Sequence, residues 1–215
     1  MTKKIFVTAT NTNVGKTHVT CLLMEEAARR GFRPAAFKPI ETGVEDDNPL
    51  DGSLLLETMQ KLNPATHSLT TDEIVPYRFE LPAAPYIAKG DTDISLEVIE
   101  KQIGNIESFC DILFIEGAGG LMVPIEKELF MIDLPNRLGA HTLLVSPSRL
   151  GSINDTLLSM EALTSRGIDF TLAINLYEER ESFAHVTQPF YRETQMAYHL
   201  LPQGIERLFE HLINR

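Results

Sequence analysis

The sequence predicts an α/β fold in which a doubly wound, mostly parallel sheet carries helices on both faces and residues 1–215 form a single domain. Apolar runs that suit buried strands recur along the chain, at residues 5–9, 34–37, 111–116, 142–146 and 170–174. Segments with apolar residues at helical spacing separate these runs, which is typical of parallel strands joined by helices. A chain of 215 residues also has enough interior for a sheet of about five to seven strands.

The first strand leads into a loop that is typical of a phosphate site. After the strand at residues 5–9, a polar loop ends in Gly15, Lys16 and Thr17, where a helical pattern begins. Backbone N–H groups at a helix start lack partners within the helix, and the helix dipole is positive there, so the position favours a phosphate group. We expect Lys16 to contact the outer phosphates and the Thr17 hydroxyl to bind Mg²⁺. An ordinary strand-to-helix turn is the alternative.

This loop differs from the standard phosphate-loop pattern, G-x-x-x-x-G-K-[ST], because Thr10 stands where the first glycine belongs. The loop therefore has to close in another way. Because a strand precedes it and a helix follows it, we still interpret it as a nucleotide site and predict a fold of the P-loop NTPase type.

A second lysine follows the second predicted strand. The first helix is expected to run from Lys16 to Arg30 and to end at Gly31, and the strand at 34–37 is followed directly by Lys38. Ligands of open parallel sheets bind beyond the carboxyl ends of the strands. Lys38 is therefore predicted to face the same crevice as the first loop, with a solvated surface lysine as the alternative.

An acidic, turn-rich segment precedes the second helix. Asp51 opens that helix, whose apolar positions include Leu54, Leu55 and Met59. An aspartate in this place most often caps the helix, and a metal ligand is the alternative interpretation.

The region between residues 63 and 93 contains four prolines that interrupt any periodicity, so we predict a long irregular connection. Ser95 is expected to cap the helix that follows it. The apolar face of that helix is formed by Leu96, Ile99, Ile103, Ile106 and Phe109.

A carboxylate ends the predicted strand at residues 111–116. Glu116 is followed by glycine at positions 117, 119 and 120. A charge buried in that place needs a partner, because burying it alone is costly. Mg²⁺ beside a phosphate is the favoured partner, and an ion pair with Lys16 or Lys38 is the alternative.

The last third of the chain adds two predicted strands. The strand at 142–146 leads into a helix with apolar residues at Leu157, Leu158, Met160, Ala162 and Leu163. The strand at 170–174 ends at Asn175. We assign no element to the mixed sequence that follows, up to an amphipathic helix around residues 205–213.

Composition narrows the classes of function. With 30 acidic and 19 basic residues the net charge is −11, which opposes binding to nucleic acid. No signal peptide and no apolar stretch near the roughly 18 residues of a membrane span is found, so we expect a cytoplasmic protein without a membrane partner. Two cysteines are too few for a disulfide framework, and the six histidines lack ligand-like spacing.

Several motifs together resemble those of the dethiobiotin synthetases. Residues 8–17 (Thr-Ala-Thr-Asn-Thr-Asn-Val-Gly-Lys-Thr) resemble the family loop T-G-T-D-T-x-V-G-K-T, which has one residue more between its glycines than the ordinary P-loop. Residues 37–43 are similar to Y-K-P-V with the following S-G or T-G, and residues 116–120 to the E-G-A-G-G of that family. Residues 150–154 resemble L-G-C-I-N, and residues 77–85 resemble Y-x-F-x-x-P-x-x-P.

The resemblance implies ATP- and Mg²⁺-dependent closure of a ureido ring. In that reaction 7,8-diaminononanoate, CO₂ and ATP give dethiobiotin, ADP and phosphate. One amine captures CO₂ as a carbamate, the carbamate oxygen attacks the γ-phosphate, and the second amine displaces phosphate from the mixed anhydride. Such chemistry depends mainly on positioning and on charge stabilisation.

The resemblance also implies roles for individual residues. Catalytic roles fall on Thr12, Lys16 and Lys38, and metal ligation on Thr17, Asp51 and Glu116. The nucleotide would be bound by Asn13, Val14, Gly15, Lys16, Thr17, His18 and Asn175. The diamine or carbamate would be positioned by Thr12, Lys38, Thr42 and Gly119. The carboxylate tail of the substrate would lie across a homodimer interface, at Leu150, Gly151, Ser152, Ile153 and Asn154.

Some positions depart from the family pattern. Ala9 replaces the first loop glycine, so it has to adopt a negative φ or carry strain. Asn11 and Asn13 remove negative charge near the phosphates, and Tyr86 stands where a histidine often follows the second proline. The family segment G-x-[IV]-P is not recognisable after Asn175, which predicts weak discrimination between nucleobases.

Two other classes compete with this interpretation. Nucleotide switches of the partition or septum-positioning type share this branch of P-loop folds, but they usually carry a second lysine early in the loop, and residues 9–14 contain none. Amide-forming ligases of the cobyrinate type carry an additional glutamine-hydrolysing domain, for which 215 residues leave no room.

Overall fold

The computed structural model describes residues 2–177 and 179–215. The strands in this part of the chain are β1 (Lys3–Ala9), β2 (Pro34–Phe37), β3 (Ile40–Thr42), β4 (Tyr77–Phe79), β5 (Ile112–Gly120), β6 (Pro124–Glu126), β7 (Leu129–Phe130), β8 (His141–Pro147), β9 (Phe170–Asn175) and β10 (His199–Leu201). The α-helices are α1 (Lys16–Arg29), α2 (Leu50–Leu62), α3 (Thr71–Ile74), α4 (Pro85–Ala88), α5 (Leu96–Glu107), α6 (Leu134–Leu138), α7 (Ser152–Ser165), α8 (Arg180–Ser182), α9 (Gln188–Glu193) and α10 (Ile205–Ile213). Short 3₁₀ turns occur at Pro64–Thr66 and Met131–Asp133, and a π-helical turn at Phe183–Thr187.

Six parallel strands form the central sheet, in the order β10-β9-β8-β1-β5-β2. β1 lies in the middle, with Ile5 paired to Phe114 of β5 on one side and to His141 of β8 on the other. Because all six strands are parallel, their carboxyl ends meet at one edge of the sheet. The loops after β1, β2, β5, β8 and β9 therefore open on the same crevice.

Helices cover both faces of this sheet. Leu143 and Val145 of β8 belong to the apolar core that also contains Leu23 of α1, whereas Leu144 between them packs in a second core with Leu163 of α7. Successive side chains of a strand point to opposite faces, so the two cores lie on opposite sides of the sheet. The predicted doubly wound α/β fold is confirmed.

The prediction of an irregular connection between residues 63 and 93 is wrong. The segment contains a 3₁₀ turn, α3, β4 and α4, and β4 pairs in parallel with β3, with Ile40 opposite Tyr77. Ile74 and Val75 within the segment are fully buried. Buried backbone groups require hydrogen-bond partners, and here very short elements provide them without a periodic sequence.

β5 continues beyond Glu116, where the strand was predicted to end. The strand reaches Gly120, which pairs with Ala9 after an irregularity that places extra residues in β5. A Cβ atom at Gly117 would lie 3.1 Å from the ring of Phe6, and one at Gly120 would lie 3.1 Å from the Thr10 carbonyl oxygen. The glycines thus allow β5 to run close to β1 and its loop.

Other boundaries and faces also differ from the expectation. The three-residue strand β10 was not predicted, and Ser95 precedes α5 without a side-chain capping hydrogen bond. Leu54, Leu157 and Leu158, which belong to the apolar patterns of α2 and α7, are exposed by 47%, 39% and 59%. α1 ends one residue early, at Arg29, and Gly31 follows with a φ of 84°.

Glu26 on α1 is a buried carboxylate held by arginines. Arg29 donates to both of its oxygens at 2.8 Å, and Arg30 forms a further ion pair with it. The hydrogen bonds from Arg29, acting against the effect of burial, lower the pKa of Glu26 below its ordinary value of 4.5. A carboxyl group with a lowered pKa stabilises the fold above its unfolded-state pKa and loses that effect as the pH falls.

We predict that Glu26→Gln lowers the free energy of unfolding at pH 7 by about 1–3 kcal/mol, because charged hydrogen bonds are lost. For a chain of this size, Tm should fall by roughly 2–4 °C for each kcal/mol. Glu25→Gln, at an exposed neighbouring position, is the control. The difference in Tm between wild type and Glu26→Gln should shrink below pH 4.5. A difference that is constant from pH 7 to pH 3 would contradict this account.

Candidate functional site

The loop between β1 and α1 takes its shape from Asn13 and Gly15. Both have left-handed backbone geometry, with φ values of 55° and 90°. Asparagine adopts this region more readily than most residues, and glycine does so without penalty. A Cβ atom at Gly15 would also lie 2.3 Å from the amide nitrogen of Asn175. Ala9 does not have a positive φ, so the missing family glycine is accommodated without left-handed strain.

Contacts with neighbouring strands close the loop in place of the missing glycine. The backbone N–H of Thr10 donates to the carbonyl oxygen of Val145 in β8 at 3.0 Å. The side-chain amide of Asn175, at the end of β9, donates to the carbonyl oxygen of Val14 at 2.9 Å. The loop is thus held by β8 and β9, the two strands next to β1 on one side of the sheet.

Lys16 stands at the start of α1 and is nearly buried, with 8% of its surface exposed. Its amino group donates to the carbonyl oxygen of Asn11 at 3.3 Å. Burial and the nearby charge of Lys38 lower the pKa of Lys16 to about 8. No acidic residue lies in the first turn of α1, so nothing in that turn opposes the positive end of the helix dipole.

Glu116 is fully buried and forms the centre of the site. One of its carboxylate oxygens accepts hydrogen bonds from the amino group of Lys38 at 2.6 Å and from the Thr17 hydroxyl at 2.9 Å. The other oxygen accepts from the Thr20 hydroxyl at 3.1 Å. Glu116 and Lys38 therefore form an ion pair, which was one of the alternatives considered for Glu116.

Asp51 lies on the other side of Lys38. It is the second residue of α2, and Pro49 occupies the N-cap position, so the interpretation of Asp51 as the cap is wrong. Its carboxylate lies 3.0 Å from the Lys38 amino group. Burial opposes the charge on Lys38, but Glu116 and Asp51 hold its pKa above the ordinary value. Burial likewise opposes the charge on Asp51, but Lys38 holds the pKa of this carboxyl below its ordinary value.

Two residues of this cluster were not found by sequence reasoning. Thr20 follows Thr17 by three positions, so the two hydroxyls share one face of α1. That spacing could have predicted that both contact Glu116. Glu41 accepts hydrogen bonds from the backbone N–H groups of Asp51 at 3.0 Å and Gly52 at 2.9 Å. Glu41 gives no local signal, because its partners lie ten and eleven residues away.

Three adjoining cavities surround the cluster. A cleft of about 820 Å³ is lined by Asn13, Gly15, Lys16, Thr17, His18, Asp51, Asn175 and Tyr177. A chamber of about 180 Å³ shares Asn13, Lys16 and Asp51 with this cleft and is also lined by Thr12, Lys38, Glu41, Thr42, Ala118 and Gly119. A third cavity, of about 440 Å³, shares Thr12, Asn13, Thr42, Ala118 and Gly119 with the chamber. Apart from Val14 and Glu116, the predicted nucleotide, metal and diamine residues all line these cavities, and Glu116 contacts Thr17 and Lys38, which line two of them.

The predicted tail segment, residues 150–154, lies apart from these cavities within one chain. None of its residues lines the three cavities. Ser152 is fully buried, whereas 70% of the Leu150 surface is exposed. Leu150 and the exposed Leu157 and Leu158 give the start of α7 an apolar surface.

Among residues 2–177 and 179–215, no group of three or more histidine, cysteine, aspartate or glutamate side chains is arranged to hold a metal ion. A metal at the cluster would therefore need hydroxyl or phosphate oxygens beside its carboxylates. No helix in this part of the chain has the length and apolar character needed to cross a membrane.

The chain is similar in sequence to known proteins over most of its length. A family model described as an AAA domain matches residues 3–192. The ATP-dependent dethiobiotin synthetase BioD of a Sulfurovum species is 50% identical over 203 residues, which are 94% of this chain and 96% of that protein. The protein of the same name from Wolinella succinogenes is 39% identical over 215 residues, which are 99% of each chain.

Solved structures resemble the chain in fold. A GTPase from Pyrococcus abyssi matches with a TM-score of 0.61 and 13% identity, covering 99% of this chain and 96% of that one. The MinD cell division protein of Aquifex aeolicus matches with a TM-score of 0.58 and 16% identity, covering 99% and 98%. At such identities a shared fold carries no functional conclusion.

Proposed function

This chain belongs to the dethiobiotin synthetase family, and we propose on that premise that it is an ATP-dependent ligase that closes the ureido ring of dethiobiotin in biotin biosynthesis. One observation carries the proposal beyond the family name. Lys38, Glu116 and Thr17 meet within hydrogen-bond distance where the nucleotide cleft adjoins the small chamber. That is the place where a phosphoryl group has to pass from ATP to a second substrate.

ATP would lie in the 820 Å³ cleft. Its phosphates would contact the backbone N–H groups of residues 13–17 and the amino group of Lys16, which the phosphate charge would keep protonated. His18 and Asn175 line the same cleft and would lie beside the nucleoside. The amide nitrogen of Asn175 also donates to the carbonyl oxygen of Val14, which orients the side chain and leaves its amide oxygen and one N–H for the base.

Mg²⁺ would be held by Thr17, Asp51 and Glu116. The donor set fits the ion, since Mg²⁺ binds through one or two carboxylates together with phosphate oxygens. In this protein the Thr17 hydroxyl and the Glu116 carboxylate already lie 2.9 Å apart, and Asp51 reaches the same cluster through Lys38. When bound, the ion would neutralise charge on the β- and γ-phosphates.

The diamine would enter through the 440 Å³ cavity, with its amines toward the chamber. Thr12, Thr42 and the backbone around Gly119 line both spaces and would position the carbamate that one amine forms with CO₂. The carbamate oxygen attacks the γ-phosphate and ADP leaves. The second amine then attacks the carbonyl carbon, which closes the ring and releases phosphate. Lys38 would stabilise the charge that grows on the transferred phosphoryl group.

Residues 1–215 would act as one domain, paired as a homodimer in the cytoplasm, where ATP is supplied. The exposed leucines of α7, and Met122, which lines a cavity of about 280 Å³ together with Leu158, support pairing through this surface. Pairing would bring residues 150–154 of one protomer to the diamine cavity of its partner, so the tail carboxylate would lie across the interface. The free thiols of Cys21 and Cys110 suit a reducing compartment.

The purified protein should convert 7,8-diaminononanoate, bicarbonate and Mg·ATP to dethiobiotin, detected by mass spectrometry, with one ADP per product. Lys16→Ala and Lys38→Ala should each lower kcat by at least about a hundredfold, because both amino groups meet charge that grows during phosphoryl transfer. Lys61→Ala, which removes an exposed pair with Glu57, is the control. Circular dichroism should show that each variant remains folded. ATP hydrolysis that does not depend on the diamine would instead favour a nucleotide switch.

The proposed interface predicts a dimer in solution, with twice the chain mass of 24.1 kDa by light scattering. Leu158→Glu should produce monomers and raise the KM for the diamine by about tenfold or more, because a charge replaces an apolar contact. Val98→Glu, at an exposed apolar position of α5, is the matched control. An active wild-type monomer at assay concentration would exclude the tail site across an interface.

Weak discrimination between nucleobases is also predicted. One net hydrogen bond is worth about 1 kcal/mol, or somewhat less than tenfold, so Asn175 alone cannot select adenine strongly. The kcat/KM for ATP should exceed that for GTP and CTP by less than about a hundredfold at saturating diamine and bicarbonate. A larger preference would mean that the segment containing β10, which follows Asn175 in the sheet, contributes to a base pocket.

A further inference from the structure

We propose that Glu41 is a positioning residue that fixes Asp51 at the mouth of the chamber, and so sets the metal affinity of the site. The inference rests on the proposed function, in which Asp51 is a metal ligand. Glu41 itself is 7% exposed and lines the chamber beside Lys38 and Thr42.

The contact between Glu41 and α2 is made at both carboxylate oxygens. One oxygen accepts the backbone N–H of Asp51 at 3.0 Å, and the other accepts the backbone N–H of Gly52 at 2.9 Å. The first N–H groups of a helix have no partner within the helix, and a carboxylate at that end is also favoured by the helix dipole. Glu41 thus caps α2 from a separate strand.

The local sequence provides no such cap. Pro49 occupies the N-cap position, and a proline side chain has no hydrogen-bond acceptor. Gly52 packs closely, since a Cβ atom there would lie 2.2 Å from Val75 and 3.3 Å from the carboxylate of Glu41. The first turn of α2 therefore packs against Val75, after α3, and against Glu41 of β3, and Glu41 forms the hydrogen bonds of this contact.

This attachment matters because the Asp51 carboxylate contacts Lys38 and the Thr17 hydroxyl only as long as the first turn of α2 keeps its place. The Asp51 side chain is 48% exposed, and its ion pair with Lys38 depends on where the first turn of α2 lies. Groups that orient metal ligands commonly change metal affinity by about 10–100-fold when they are replaced. A shift of the first turn would move the Asp51 carboxylate away from Glu116 and Thr17.

The test measures Mn²⁺ binding by EPR, with the protein in excess over AMP-PNP so that free nucleotide does not hold the ion. Glu41→Gln, which keeps the side-chain volume, and Glu41→Ala should each raise the Kd for Mn²⁺ by about tenfold. Asp51→Asn should raise it by a similar factor. The double variant Glu41→Gln/Asp51→Asn should be no weaker than Asp51→Asn alone, because residues that act through one another are not additive.

Asp133→Asn is the matched control. The Asp133 carboxylate accepts the backbone N–H of Phe130 at 2.8 Å at the start of the 3₁₀ turn Met131–Asp133, and Asp133 does not line the three cavities of the site. This variant should keep the wild-type Kd for Mn²⁺ even where its Tm falls. Wild-type affinity in Glu41→Gln, or losses that add in the double variant, would overturn the proposal. Failure of the proposed function would be seen separately, as a wild-type protein that forms no dethiobiotin.

Discussion

The buried ion pair between Lys38 and Glu116 is the interaction on which the site depends. β2 and β5 are neighbours in the sheet with Phe37 opposite Ile115, so Lys38, directly after β2, comes beside Glu116 of β5. They meet at 2.6 Å with 3% and 0% of their side chains exposed. Removing one partner of such a pair typically costs about 3–5 kcal/mol, because the other charge stays buried. The hydroxyls of Thr17 and Thr20 and the carboxylate of Asp51 supply the remaining polar contacts that make the burial tolerable.

The residues that strand order determines were predictable from the sequence. Lys38, Glu116 and Asn175 each follow or end an apolar run, and parallel strands place such residues at one edge regardless of the details of packing. The site residues that depend on tertiary contacts were not predictable. Glu41 has its partners on a different element, and the apolar pattern of α7 does not tell that Leu158 is exposed.

The difference between local pattern and tertiary contact also explains which strands were missed in the predicted fold. The long strands β1, β5, β8 and β9 carry enough consecutive apolar residues to be recognised. β3, β4 and β10 have three residues each, too few for a pattern, and they exist because a neighbour pairs with them. The proteins that share this fold include a GTPase and a cell division protein, so the chemistry is determined by side chains at the edge of the sheet and not by the sheet itself.

The close approach of Gly15 and Asn175 has a consequence for redesign of the co-substrate preference. The amide of Asn175 fills the space beside Gly15 and also holds the carbonyl group of Val14. A larger residue at position 175 would push on the loop between β1 and α1, to which the proposed function assigns the phosphates, and a smaller residue would release that loop. Under the proposed function, base preference and triphosphate affinity would therefore be coupled, and a change in the first would have to be compensated on the opposite side of the loop.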